Sequence, residues 1–336
     1  MSDFKQVESA LNSPQAHTTN LGAMLLDPTR IPDKTNKGGR LTFLLSLSDQ
    51  DAGGNGDREG FRAAINDHMF KTESVKQRQN DATASALLQD LINDYKELVG
   101  HSKEFFQGKN RRGLNSFLMK YLHYVIFDLD PSDEQRIETL TKFHYDGQSG
   151  AYYLKGFNKL LQKLQFKNWP KMARDVAKIY VESPLISKFV ESNPKYHDLT
   201  RDEMAYLMKA IMSIAALVGP KTLALNAMGY DPFPAYEGTE TPEIDVTKIW
   251  DKLDLENREE VADYLFECGR LKLPVATTHR VAMEKFTIPI RGRNRTVPKG
   301  TKIVIPMSLS MVDESFWGGK SFEFDHTSVR MSAHSV

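Results

Sequence analysis

Apolar residues in roughly the first two thirds of the chain recur at helical spacing. Residues 81–100 place seven of them on one stripe, which predicts an amphipathic helix with Gly100 as its C-cap. These seven are Leu87, Leu88, Leu91, Ile92, Tyr95, Leu98 and Val99. The segment LNSFLMKYLHYVIFDL is apolar on most sides and precedes Pro131, which predicts a buried helix. Ser132 and Gln135 then have the spacing of a capping box, which predicts the start of the next helix.

The longest helical pattern runs from Thr200 to Gly229. Thr200 and Glu203 have capping-box spacing, and the length is that of a helix that crosses most of a domain. Pro220 lies inside the pattern. Because an interior proline removes a backbone donor and clashes with the preceding turn, we expect a kink or a local opening within residues 218–222.

The pattern changes after Pro274. The segment FTIPIRGRNRTVPKGTKIVIP alternates and is β-branched, with turns expected at RGRN and VPKG. In the second turn Pro298 occupies a position that favours its fixed φ, and Gly300 closes the turn. The pattern therefore predicts a mainly α protein with a small β region. We expect one domain over residues 1–336, mostly helical over 1–273 and β-rich over 274–325.

Composition excludes several classes of function. The chain has 336 residues, 40% of them apolar, and 44 basic residues balance 44 acidic ones. With no net charge there is no global field that attracts nucleic acid or anionic lipid, so we expect no nucleic-acid partner. The start lacks a leader-like pattern, and no apolar run approaches the ~18 residues of a transmembrane segment, so we expect a cytoplasmic protein. The single cysteine, Cys268, excludes an internal disulfide and a multi-cysteine metal cage.

One charged pair lies in an otherwise apolar helical pattern. Glu267 and Arg270 are three residues apart in EVADYLFECGRLKLPVATTHR, so their side chains are neighbours on a helix. Spacing alone is typical of a solvated surface pair that contributes little. The apolar neighbours leave little room for a solvated face and favour a buried pair, which needs further hydrogen-bond partners.

The order of elements around this pair resembles the cytochrome P450 superfamily of heme-thiolate proteins. A helix with Glu-x-x-Arg, a proline, an arginine at 280, then TVPKGTKIVIP, VDESFW and FEF follow in the family's order, and the resemblance extends from about Asp3 to the last residue. It implies a P450-like fold and a heme cofactor. Glu267 and Arg270 match the family's structural pair behind the heme. Arg280, together with Arg58 and Arg62 in GDREGFRAAINDHMF, matches residues that hold the propionates, although two solvated arginines on a surface helix also explain Arg58 and Arg62.

The resemblance also locates an oxygen-handling segment in the long helix. VGPKT retains Gly219 and Thr222 of the family's pattern but has Lys221 in place of its acid. In the family an acid and an alcohol relay protons to oxygen. The lysine implies either a different proton delivery or a substrate that brings its own oxygen, as in relatives that rearrange fatty-acid hydroperoxides. Alternatively, Pro220 and Lys221 only mark a kink that faces solvent.

The chain departs from the family's pattern at the iron ligand. The family binds iron through a cysteine thiolate, whereas Cys268 lies too early for that loop and reads as a small core residue. The ligand loop and the first strands are missing from the sequence, which we interpret either as a truncated piece or as natural loss of the ligand. His326 occupies the position of an expected arginine, and His334 is a weaker alternative as axial ligand.

These features predict a P450-like heme protein, a monooxygenase or a hydroperoxide-rearranging enzyme, with a lipophilic substrate and a redox partner protein. One alternative is a non-catalytic P450-fold scaffold that binds a lipid or a protein. Another is an unrelated helical interaction protein. The sequence has no histidine pair at metal-ligand spacing, no glycine-rich phosphate loop and no nucleophile elbow.

Overall fold

The structure is a computed structural model with two compact units. Its described residues are 16–18, 63–98, 102–107, 112–147, 169–192, 205, 208–209, 212, 216–228, 252–273, 278–282, 284–290, 293–305, 307–311, 313 and 315. One unit spans Asn20–Leu217, and the other combines Met1–Thr19 with Val218–Val336. The described part is mainly helical with a small amount of sheet, as predicted. That residues 1–336 form a single domain stays a prediction.

The described part of the unit Asn20–Leu217 is helical. Two π-helical turns, Asn66–Phe70 and Lys142–Gly147, accompany its α-helices. The α-helices are α1 (Glu73–Gln79), α2 (Ala82–Glu97), α3 (Ser102–Gln107), α4 (Gly113–Phe127), α5 (Glu134–Thr141), α6 (Trp169–Val181) and α7 (Pro184–Ser192).

Helix α2 forms where it is predicted, but its apolar stripe is only partly buried. Asp81 caps it by accepting a hydrogen bond from the N–H of Ala84 at 2.9 Å. Leu87 is buried, whereas Leu88, Ile92 and Tyr95 are 42–48% exposed. The predicted stripe is thus wider than the face that α2 packs against its neighbours, and the predicted cap, Gly100, lies outside the described residues.

Helix α4 is the buried helix that its apolar sequence predicts. Most of its residues are inaccessible to solvent, among them Met119 and Phe127. It ends at Asp128, which adopts the left-handed conformation with φ of 57°. The following helix, α5, begins one residue later than the capping box suggests. The Ser132 hydroxyl donates to the Asp130 carboxylate, so Asp133 becomes the N-cap instead.

The segment 200–229 does not form one continuous α-helix in its described residues. The N–H of Leu217 donates to the carbonyl of Met212 at 3.0 Å, a π-type bond, and Leu217 is a turn residue. Helix α8 (Val218–Ala227) then begins, with Pro220 in its first turn. Because N–H groups of the first turn lack intrahelical acceptors, proline costs little there. We predicted the opening within residues 218–222, but it lies just before them, at Leu217, and the predicted single helix is wrong as well.

The second unit adds two more described helices and five strands to α8. The helices are α9 (Arg258–Leu271) and α10 (Met307–Ser310). The strands are β1 (Ala16–Thr18), β2 (Thr278–Ala282), β3 (Phe286–Ile290), β4 (Arg293–Val297) and β5 (Lys302–Ile305). Strands β1, β2 and β5 form an antiparallel sheet in the order β1-β2-β5, and β3 pairs with β4. Strand β1 was not predicted, whereas the other four lie in the predicted β region.

The two predicted turns lie in the β region of this unit. At RGRN, Ile290 pairs with Arg293, and the two residues between them lie outside the described ranges. In VPKG the N–H of Thr301 donates to the carbonyl of Pro298 at 3.2 Å. Pro298 is therefore the first residue of the turn, whereas the prediction placed it second. Gly300 occupies the third position with φ of +81°, which glycine adopts without strain.

Helices α8 and α9 pack through a small apolar cluster. Ala227 of α8 meets Tyr264 and Cys268 of α9, and all three are buried. The Tyr264 hydroxyl donates to the carbonyl of Ala227 at 2.7 Å, which satisfies a carbonyl at the end of α8. Asn257 caps α9 by accepting from two backbone N–H groups. No helix in the described ranges is long and apolar enough to cross a membrane.

Candidate functional site

Glu267 and Arg270 form a buried, bidentate ion pair on α9. The Arg270 Nε donates to Glu267 Oε2 at 2.7 Å, and Arg270 Nη2 donates to Glu267 Oε1 at 2.6 Å. The Glu267 side chain is 0% exposed and that of Arg270 is 7% exposed. The spacing of these residues allows a solvated or a buried pair, and the pair in the structure is buried.

A backbone carbonyl completes the hydrogen bonding of Arg270. Its Nη1 donates to the carbonyl of Met311 at 2.9 Å, a residue 41 positions further along the chain. Met311 directly follows α10, and its own N–H donates to the carbonyl of Met307. All three guanidinium nitrogens thus have acceptors, which offsets the desolvation of two charges. The pair links α9 to the end of α10.

Gly219 and Thr222 lie together in the first turns of α8. Thr222 is 6% exposed and Gly219 is partly buried, whereas Pro220 is exposed. A Cβ on Gly219 would meet no atom within 4 Å, so this glycine is not required by close packing. Lys221 is partly buried, and this burial lowers the pKa of its ammonium. Only Pro220, of these four residues, faces solvent as the kink interpretation expects.

The structure does not describe the side chains of the three arginines assigned to the propionates. Arg280 lies in β2, where its Cα pairs with Thr18 of β1 and Ile303 of β5. Its side chain lies outside what the structure describes, as do Arg58 and Arg62. The two histidines considered near the end of the chain, His326 and His334, also lie outside the described residues. The grouping of these arginines stays a prediction.

Cys268 is a core residue of α9, as predicted. It is 2% exposed and packs with Tyr264 and Ala227. Burial raises the pKa of its thiol to about 11, and a hydrogen bond with Tyr264 only partly opposes this effect. A thiol in this state is protonated at neutral pH, so Cys268 does not fit the role of a thiolate ligand.

A buried polar cluster that was not predicted lies in the unit Asn20–Leu217. His123 of α4, His144 of the second π-helical turn and Tyr180 of α6 are each at most 2% exposed. They converge on the Tyr180 hydroxyl. A histidine inside the apolar segment HYVIF is the signal in the sequence that could have indicated it. Among the described residues no group of three His, Cys, Asp or Glu side chains is arranged to hold a metal ion.

Comparisons with known proteins give structural neighbours only. No family model and no curated protein matches the sequence. A cytochrome P450-like monooxygenase of microbial secondary metabolism matches with a TM-score of 0.62 and 13% identity, over 97% of this chain and 75% of its own. P450BioI in complex with a fatty-acyl-loaded acyl carrier protein matches with a TM-score of 0.58 and 17% identity, over 97% and 75%.

A third neighbour has the same character. The heme domain of a cytochrome P450 from Acinetobacter radioresistens matches with a TM-score of 0.59 and 11% identity, over 99% of this chain and 74% of its own. At these identities the likeness concerns the fold and not the chemistry. Since it extends over nearly the whole chain and each neighbour is a cytochrome P450 structure, the chain has a cytochrome P450-like fold.

Proposed function

We propose that this chain is a heme protein of the P450 type that acts on a lipophilic small molecule. The observation that carries the proposal is the buried Glu267–Arg270 pair with its bond to the Met311 carbonyl, in a chain with a P450-like fold. Such a pair costs desolvation energy and contributes rigidity where α9 meets the end of α10. In this proposal the pair is structural and stiffens the proximal side of the heme pocket.

The remaining predicted residues complete the proposal. Arg280, Arg58 and Arg62 hold the propionates, because guanidinium groups bind carboxylates in bidentate fashion. Gly219 and Thr222 line the distal side, where oxygen chemistry takes place. An apolar pocket takes a lipophilic substrate, and a redox partner protein supplies electrons if the reaction is a monooxygenation.

Lys221 distinguishes the two candidate reactions. A lysine is not a carboxylic acid, and burial lowers the pKa of the Lys221 ammonium. A proton relay built on an acid and an alcohol is therefore absent from residues 219–222. Rearrangement of a fatty-acid hydroperoxide requires no such relay, since the substrate already carries the oxygen. Residue 221 thus favours hydroperoxide rearrangement over monooxygenation within this proposal.

The described residues do not fit a thiolate-ligated iron. The sequence contains one cysteine, and its protonated thiol is buried between α8 and α9. This disagreement supports a second candidate, a non-catalytic P450-fold scaffold that binds a lipid or a protein partner. In that case the Glu267–Arg270 pair maintains the fold and heme is not part of its function.

Titration of the purified chain with hemin separates these candidates. A Soret band that saturates with hemin supports the heme protein, and weaker binding of Arg280→Ala supports the propionate assignment. Arg295→Ala is the matched control, because Arg295 is exposed on β4 and has no assigned role. No saturable uptake by the folded chain contradicts the heme proposal and favours the scaffold.

The reduced, carbon monoxide-treated form tests the ligand argument. We expect hemin-loaded chain to lack the red-shifted Soret band that a thiolate-ligated iron gives. If that band appears and Cys268→Ala abolishes it, the placement of Cys268 in a sealed core is wrong.

A further inference from the structure

The buried cluster in the unit Asn20–Leu217 joins three separate segments through one hydroxyl. The Tyr180 hydroxyl lies 2.6 Å from His123 Nε2 and 3.0 Å from His144 Nε2. His123 is 57 positions and His144 is 36 positions from Tyr180 in the chain. These two hydrogen bonds therefore hold α4, the second π-helical turn and α6 against one another.

The hydrogen bonds of the cluster have a defined direction when both imidazoles are neutral. His123 Nδ1 lies 2.7 Å from the carbonyl of Met119, which can only accept, so Nδ1 carries the hydrogen. Nε2 of His123 then accepts from the Tyr180 hydroxyl. Because that hydroxyl has a single hydrogen, its oxygen accepts from His144 Nε2–H. The geometry thus assigns the Nδ1–H tautomer to His123 and the Nε2–H tautomer to His144.

Proton uptake changes this cluster in two steps. One added proton preserves both hydrogen bonds to Tyr180, because Nδ1 of His144 can take it up while Nε2–H still donates. It nevertheless adds a charge to a dry interior. A second proton makes both Nε2 atoms donors. The Tyr180 hydroxyl then faces two donors and its hydrogen loses both acceptors. Double protonation therefore breaks the cluster's hydrogen bonding.

The surroundings oppose a positive charge. Lys209 is 1% exposed, and its Nζ lies 5.4 Å from the centroid of the Phe143 ring. Phe143 directly precedes His144 in the sequence. Burial lowers the pKa of His123 to about 4. Burial also lowers the pKa of His144 well below its ordinary value, and repulsion from His123 and Lys209 adds to this effect.

The π-helical turn, α5 and α6 carry further titratable groups. Tyr145, in the same π-helical turn, has a pKa that burial raises, so it stays neutral. On α5, Arg136 pairs with Asp133 and Glu182, and Glu138 pairs with Lys142. On α6, Lys178 pairs with Asp175. None of these pairs includes a cluster residue.

We propose that His123 and His144, joined through Tyr180, form an acid-sensitive switch. It holds α4, the second π-helical turn and α6 together in the unit Asn20–Leu217 while both rings are neutral. The folded unit binds fewer protons than the unfolded chain from about pH 6.5 downward. The switch therefore contributes full stability above that pH, and its contribution falls as the pH drops toward the lowered pKa values. Each ring changes the unfolding equilibrium by about tenfold per pH unit in this window.

Proton uptake on unfolding tests the proposal. The pH dependence of the urea unfolding midpoint at about pH 5 gives the number of protons taken up. We expect His123→Gln and His144→Gln each to take up about one proton fewer than the wild type, and the double variant about two fewer. Glutamine retains hydrogen-bonding groups and does not titrate. His68→Gln is the control, since His68 is exposed and packs edge-on against Phe189; it should match the wild type.

A second measurement uses the wild-type chain and does not depend on variants that fold. Nitrogen-15 NMR of labelled histidines should show the Nδ1–H tautomer at His123 and the Nε2–H tautomer at His144 in the folded state, with no titration near pH 6.5. Histidine resonances from the cluster that titrate with an ordinary midpoint while the chain stays folded would overturn the proposal. Unchanged proton uptake in the double variant would overturn it as well.

Discussion

At the scale of single residues, burial decides what an ion pair at the same spacing contributes. Glu73 and Lys76 on α1 are three residues apart, and their side chains are 73% and 62% exposed. Glu267 and Arg270 have the same spacing at 0% and 7% exposure. Solvent screens the first pair, whereas removal of one partner from the second leaves a charge in the interior with no compensation.

This contrast gives a direct prediction. Glu267→Gln should lower the free energy of unfolding by about 3–5 kcal/mol, because Arg270 keeps its charge and loses its counterion. Glu73→Gln should change it by less than about 0.5 kcal/mol. Urea denaturation followed by circular dichroism measures both variants. Equal midpoints for the two would show that the Glu267–Arg270 pair does not anchor α9.

Contacts between neighbours on one helix can be predicted from the sequence, whereas contacts between distant positions cannot. The pairing of Glu267 with Arg270 is foreseeable because the two residues are neighbours on one helix and their flanks are apolar. The third partner, the Met311 carbonyl, is not foreseeable, since it approaches from 41 positions away. The link between His123 and Tyr180 spans 57 positions and was missed for the same reason. Local spacing carries no information on such contacts.

At the scale of elements, caps and turns follow the sequence where one local interaction dominates. At α9 the Asn257 side chain accepts from two of the first N–H groups and forms the cap. At α5 two candidates compete, and Asp130 engages the Ser132 hydroxyl, so the cap moves to Asp133. Strand β1 has three residues, too few for an alternating pattern, and it exists because β2 pairs with it.

The cap of α9 is testable. Asn257→Ala should lower the free energy of unfolding by about 1 kcal/mol, because two N–H groups lose their side-chain acceptor. Asn257→Asp retains an acceptor and should stay near the wild-type value. Urea midpoints of the two variants measure the difference. An alanine variant as stable as the aspartate variant would contradict the assigned cap.

Two glycines with open surroundings form a matched pair. A Cβ at Gly300 or at Gly219 would meet no atom within 4 Å, but only Gly300 has a positive φ, +81°. Gly300→Ala should therefore destabilise the chain by about 1–2 kcal/mol through backbone strain. Gly219→Ala lies in α8 and should stabilise it by about 0.5–1 kcal/mol. Thermal unfolding of both variants should show midpoint shifts of opposite sign.

At the scale of the whole molecule, the chain shares its fold with proteins to which its sequence has little identity. Identities of 11–17% accompany TM-scores of 0.58–0.62 for the three neighbours described. The order of helix, Glu-x-x-Arg, turn and strand was enough to predict this fold. The cofactor does not follow from the fold in the same way. Cytochromes P450 bind iron through a cysteine, and the only cysteine of this sequence, Cys268, is buried.

The proposed cofactor has a consequence for the stability of the whole chain. A ligand that binds only the folded state stabilises it by an amount that grows with its concentration, about 2.7 kcal/mol at one hundred times the dissociation constant. If heme binds the folded pocket, the thermal midpoint should rise progressively with added hemin, and less so in Arg280→Ala. A midpoint independent of hemin concentration would contradict the proposed cofactor.

The enclosure of Cys268 also gives the protein an internal probe. The only thiol of the chain is 2% exposed and lies between Glu267 and Gly269 on α9. A maleimide therefore reacts with the native protein only while this part of α9 is transiently exposed. The labelling rate under native conditions thus measures how often α9 opens beside the ion pair, without any engineered cysteine.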